Sequence, residues 1–165
     1  MSSIYRITWR RQLSLLSACL IKLVLFISAY IYFLGFQISH PAHVVLICVY
    51  FMLDVLPTVI LHLQYFKNGS KKQFIISKER QTVIVQHDTI ERIYRYADLE
   101  RIEYYGSYGG GSGWYSFGEY CFYKLSFKDG YEANLSCMMV KNIKFTLEPL
   151  LGKNATKRLT LLPFI

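Results

Sequence analysis

The sequence is short of everything a reaction centre needs. Its four cysteines form no CxxC pair and no Cys/His spacing of the kind that holds zinc. The glycine-rich stretch contains neither GxGxxG nor GxxxxGK[ST], so no phosphate-cradling loop is written into it. His87 is the sole histidine beyond the apolar region, and no nucleophile–base set is spaced around it. His40 and His43 read HxxH, but Pro41 between them prevents a helical ligand face. Acidic residues are scarce, 11 against 19 Lys and Arg, yet the positive excess never runs beyond Lys71-Lys72. Glu91, Asp98, Glu100 and Glu103 interleave the tyrosines that a nucleic-acid platform would use. The expectation is a protein without catalytic residues, metal ligands, cofactor or nucleic-acid partner.

What the chain has instead is apolar length. Two runs, residues 13–36 and 44–63, each have the ~20 residues that cross a ~30 Å hydrocarbon core. The link between them, QISHPAH, carries no Asp, Glu, Lys or Arg. Arg6, Arg10 and Arg11 precede the first run, and Lys67, Lys71 and Lys72 follow the second. By the positive-inside rule both ends are expected in the cytoplasm of a bacterial inner membrane and the link outside. Leu16-Ser17-Ala18-Cys19 resembles a lipoprotein cleavage box, but the apolar run before it is short and continues well past it. Asn68, Asn134 and Asn154 begin formal glycosylation sequons, read as chance matches in that topology.

Each run contains one charge, Lys22 and Asp54. In a symmetric hairpin, residues at equal depth share a constant index sum, here 76, which centres the turn on Ile38 within the link. A charge in the middle of a span costs about 2.5–3.5 kcal/mol on insertion scales, which favours compensation. Pro57 frees the carbonyl of Leu53 near the same level. The expectation is an intramembrane Lys22–Asp54 ion pair, within one hairpin or between copies. Snorkelling of Lys22 and a polar ion path are the alternatives.

Beyond residue 66 the pattern changes to short β-type runs. QFIIS and QTVIVQH flank a polar turn, TIERIYRY alternates, and IEYYG follows Asp98-Leu99. EYCFYKLSF and YEANLSC are joined by Lys128-Asp129-Gly130, a strong hairpin signal. Val140, Ile143, Leu147 and Leu150/Leu151 recur at helical spacing before Gly152. The predicted class is an α+β membrane protein. Residues 1–66 form a transmembrane hairpin, residues 67–152 an antiparallel sheet or barrel capped by a C-terminal helix, and residues 153–165 a tail that adds a strand or docks on the domain.

FIISKERQTVIV, YADLERIEYY and YKLSFKDGYEANLS followed by a helix resemble the bacterial pleckstrin-homology-like (PH-like) domains that sit behind transmembrane hairpins. The resemblance implies a bent antiparallel sheet closed by a helix, and a non-enzymatic, often oligomerising, membrane-tethered module. The glycine-rich loop is longer than that pattern, and no clear basic strand-loop cluster for inositol lipids is present.

The functional expectation is a membrane-anchored scaffold that binds a protein partner or itself. The alternatives are a sensor of anionic headgroups and an accessory subunit of a transporter. Trp114, Tyr115 and Phe117, large aromatics in a polar loop, either fold back on the sheet or contact a partner or the membrane interface. Lys67, Lys71 and Lys72 are the candidate headgroup contacts.

Overall fold

The computed structural model describes residues 2–35, 41–107, 115–140, 147, 155–160 and 162–165. Strand β1 (Ser2–Arg6) leads through Ile7 and Thr8 into helix α1 (Trp9–Leu34). The side chain of Thr8 caps α1 by accepting from the Arg11 N–H, and Gly35, at φ 67°, ends it. Glycine suits that position because side chains disfavour positive φ. The return rod is helix α2 (Pro41–Tyr50), a π-helical turn (Phe51–Val55) and helix α3 (Leu56–Gly69). Backbone angles stay helical across both junctions, so the three pieces form one continuous helix. The π turn lies just ahead of Pro57, where a missing N–H breaks the regular ladder.

Two four-stranded sheets make up the rest. Strands β2 (Lys72–Ser77), β3 (Thr82–His87) and β4 (Ile90–Arg95) continue from β1 in the order β1-β2-β3-β4, all antiparallel. Strands β5 (Leu99–Ser107), β6 (Cys121–Phe127), β7 (Glu132–Ser136) and β8 (Ala155–Thr160) form the second sheet in the order β7-β6-β5-β8. Alternating residues Phe74, Ile76, Val83 and Val85 of the first sheet pack on Ile102, Tyr123, Leu125, Phe127 and Leu135 of the second, which forms the main core. The Asp129-Gly130 turn joins β6 to β7 as expected: Gly130 takes φ 83°, and the Asp129 carboxylate accepts from the Tyr131 N–H and the Tyr94 hydroxyl.

One feature departs from the sequence reading, a second extends it, and a third lies largely outside the described residues. Ser2–Arg6, assigned to the anchor by sequence, pairs with β2 along its whole length, so the hairpin interrupts the first sheet rather than preceding it. The tail both adds a strand and docks: β8 runs parallel to β5, and the backbone beyond it accepts from Tyr65 and Gln64 of α3. The predicted helix over residues 140–151 falls almost wholly outside the described residues; within it, Leu147 is helical and fully buried in the main core.

Candidate functional site: the junction of hairpin and sheets

A second apolar cluster joins the hairpin to the sheets. Leu15 of α1 and Leu61 and Tyr65 of α3 pack with Phe117, Tyr120 and Phe122 and with Cys137 and Met138 after β7. Above it the helices are apolar and open. Trp9–Phe33 and His43–Gly69 are long and apolar enough to cross a membrane, and only 17% and 22% of their most apolar windows are buried. A core helix of a water-soluble protein buries far more of such a surface.

Asp54 lies inside the π turn and is buried. Its Oδ1 accepts from the Ser116 N–H at 2.6 Å and its Oδ2 from the Ser116 hydroxyl at 2.7 Å. Tyr50, one turn earlier, reaches Oδ2 at 3.4 Å, and the Thr58 hydroxyl donates to the Asp54 carbonyl at 2.6 Å. Ser116 opens a short 3-10 turn (Ser116–Glu119) at the end of the glycine-rich loop. A buried carboxylate is tolerable only with such donors, and bonds to an ionised acceptor are the strong ones. Cys19 packs beside Ser116 and Thr58. The domain therefore reaches into the hairpin and grips its one acidic side chain.

Lys22, half-buried on α1, lines the same cavity as Asp54, together with Phe26, Tyr50, Leu53 and Tyr115. Phe26 stacks on Tyr50 with ring centroids 4.2 Å apart. Their residue numbers share the index sum of Lys22 and Asp54, whereas Tyr30 and His43, which meet edge-on at 5.5 Å, sum to 73. Of the loop aromatics, Phe117 is buried in the second cluster and thus folded back, and Tyr115 stacks on it at 5.0 Å while staying half-exposed at the cavity mouth. Trp114 lies outside the described residues.

A second latch sits lower. His62 Nδ1 and the Tyr120 hydroxyl are 2.9 Å apart, and both residues are buried. Burial pushes the Tyr120 hydroxyl above its ordinary value, so it keeps its proton and shares one hydrogen bond with Nδ1. Tyr120 also meets Tyr65 edge-on at 5.5 Å. Arg11 Nε donates to the Cys137 carbonyl at 2.8 Å. His62 is thus enclosed at the junction, its ring edge-on to Tyr120.

The expected headgroup residues separate. Lys71 and Lys72 line an open groove with Arg6, Thr8, Trp9 and Asp88, and Lys71 approaches Asp88 at 3.8 Å. Trp9 beside them is 69% exposed. Lys67 is exposed on the last turn of α3, outside the residues that line this groove.

Glu103 corrects another reading. Read from sequence as one of the acids interleaved with the tyrosines, it is 2% exposed, with Arg158 of β8 at 2.8 Å, Arg101 at 3.5 Å and the Tyr105 hydroxyl at 3.3 Å. It ties the C-terminal strand to β5. Cys121 of β6 and Cys137, just after β7, lie side by side as free thiols, the Cys121 N–H directed at Cys137 Sγ at 3.4 Å. Among the described residues no group of three or more His, Cys, Asp or Glu side chains is placed to hold a metal.

A four-stranded antiparallel sheet and a second of three antiparallel strands extended by the parallel strand β8, packed about one core, define a PH-like sheet domain with an apolar helical hairpin inserted between its first two strands. A family model described as PH domain matches residues 4–147, and the chain belongs to that family. The matched stretch begins inside β1 and includes the whole hairpin. No curated protein matches the chain closely.

Proposed function

We propose that the chain is a non-enzymatic, membrane-anchored interaction module. Its hairpin crosses the membrane with both ends cytoplasmic, and its PH-like domain is held rigidly at the surface to receive a protein partner or another copy. The observation that carries this reading is the junction. Two long apolar helices leave their upper faces uncovered, while Asp54, Tyr65 and His62 are clamped by the domain. In this reading Lys22 supplies the countercharge to Asp54 within their shared cavity, and the pair specifies the hairpin rather than a transport path. The test is carbonate extraction of the full chain from membranes, with protease access from each side. Retention in the pellet, with the domain cleaved only from the cytoplasmic side, is expected. Release by carbonate or a domain outside overturns the reading. Replacing Lys22 alone by Leu should lower accumulation, while replacing both Lys22 and Asp54 should restore insertion.

A second reading, recognition of anionic headgroups, is favoured by the groove of Arg6, Lys71 and Lys72 beside exposed Trp9. The isolated segment after residue 66 would lack β1 and the hairpin's half of the second cluster, so the full chain in nanodiscs is the proper sample. Salt-sensitive stabilisation by anionic over zwitterionic lipid, lost in Lys71→Glu/Lys72→Glu, supports it. Identical stability in both lipids removes it.

A further inference from the structure

We infer that the outer face of the first sheet is a two-fold interface that takes the same face of a second copy of this chain. Ile4, Ile75, Ile84 and Ile93 lie directly opposite one another across β1, β2, β3 and β4. They form one isoleucine row on the face that points away from the core residues Phe74, Ile76, Val83, Val85 and Tyr94. Ile4 and Ile93, at its two ends, are 60% and 64% exposed. None of the four belongs to either apolar cluster. The rows on either side are polar: Arg6, Gln73, Gln86 and Glu91 at the hairpin end, Ser2, Ser77, Thr82 and Arg95 at the far end. A core of one apolar stripe within a polar rim is the anatomy of a docking surface.

Charge selects the occupant. The row at the hairpin end carries Arg6 on one edge of the sheet and Glu91 on the other. A two-fold axis running along the strands, between β2 and β3, sets each Arg6 opposite Glu91 of the second copy. The same operation sets Ile4 opposite Ile93 and Ile75 opposite Ile84, so the face is complementary to itself. The inference rests on the proposed anchoring and takes the strands to stand along the membrane normal, because copies sharing a membrane and an orientation have their two-fold axis along it. The strand ends that join the hairpin then remain on the membrane side in both copies. Four strands about 4.8 Å apart and five residues of about 3.4 Å give a footprint of roughly 320 Å² per copy. That is below the ~800 Å² per partner of a standard stable interface, so confinement to one membrane is needed to populate the dimer.

The test uses the full chain in liposomes, with exposed Cys48 replaced by Ser. Copies carrying Ile4→Cys are mixed with copies carrying Ile93→Cys and treated with a thiol crosslinker of about 10 Å, the spacing of packed sheets. Capture of the mixed 4–93 product several-fold above either like pair is expected. Equal capture of all pairs, or none above the Cys48→Ser parent, overturns the inference. Glu91→Arg should lower capture several-fold, and Arg6→Glu with Glu91→Arg should recover it; failure of the double exchange to recover is equally fatal. Carbonate extraction of the same liposomes separates the two claims: an embedded chain without 4–93 capture sinks the dimer alone, and a released chain sinks the anchor.

Discussion

Ser116→Ala removes one hydroxyl from the wall around Asp54 and should loosen the grip of the domain on its hairpin. Asp54 takes two short bonds from this one residue, from its N–H at 2.6 Å and its hydroxyl at 2.7 Å. The variant keeps the first. A hydrogen bond to an ionised group contributes about 1.5–3 kcal/mol. Ser116 is 1% exposed, so water does not readily replace the lost donor. A cost near 2 kcal/mol is expected, equivalent to about 30-fold more frequent local opening. Asp54→Leu should cost more, because it strands both Ser116 donors in an apolar wall at about 1–3 kcal/mol for each unsatisfied group. Asp54→Leu with Ser116→Ala should cost less than the two changes summed, since the hydroxyl has then gone with its acceptor. Amide exchange of residues 115–120, measured on the full chain in nanodiscs, reads the opening directly, and denaturant midpoints give the cycle. Exchange in Ser116→Ala indistinguishable from the parent, or strictly additive costs, would refute the view that this contact couples domain to hairpin.

Three further outcomes follow from the described contacts. Arg158→Ala leaves the buried Glu103 with only the longer Arg101 and Tyr105 contacts; it should destabilise by about 2–3 kcal/mol and speed proteolysis within β8, measured by limited proteolysis and thermal melts. Tyr120→Phe keeps the ring packing but removes the hydroxyl bonded to His62 Nδ1, for a loss of about 1–3 kcal/mol; a melt of Tyr120→Phe unchanged from the parent would discount this latch. The Tyr131 N–H and then the Tyr94 hydroxyl hold the Asp129 carboxyl below its usual range. Its stabilising contribution is therefore complete above the ordinary carboxyl pKa and fades as acid carries the pH down through the depressed value. Asp129→Asn should flatten that acid limb of a stability–pH curve and leave the rest of the curve's shape unchanged.

The parts of this fold that were legible share one property: their signal is local. Two apolar runs, the period-two runs over β2 and β3, and Asp129-Gly130 are each readable within a few residues. Asp54 and Lys22 stood out because a charge inside an apolar run is conspicuous. What escaped depends on distant partners. β1 is five residues long, and its mate follows only after the whole hairpin. Ser116 is 62 positions from Asp54 in a glycine-rich stretch without periodicity, so nothing nearby marks it as the acceptor's partner. Glu103 alternates like a surface residue of β5; the strand that covers it, β8, arrives from the far end of the chain.

The placement of the hairpin gives the junction its consequence. A domain hung behind an anchor on one flexible linker samples a range of about 5–6 Å times the square root of the linker length. Here the anchor interrupts the sheet, and each of its two ends is only two residues from a strand: Ile7-Thr8 before α1, and Ser70-Lys71 after α3. Those strands, β1 and β2, pair with each other, so the two helix ends are fixed at neighbouring points of one sheet. Gly69 fits this closeness, since a Cβ there would meet Ile7 Cδ1 at 2.8 Å and Met139 Cε at 3.0 Å. Ser116 then holds the same hairpin several turns above its base, and Tyr65 and Gln64 hold the chain's far end. Two attachments at the base and one well above it fix orientation, whereas either alone would leave a hinge. A force or tilt applied to the helices is thereby passed to the first sheet, the sheet whose outer face carries the isoleucine row.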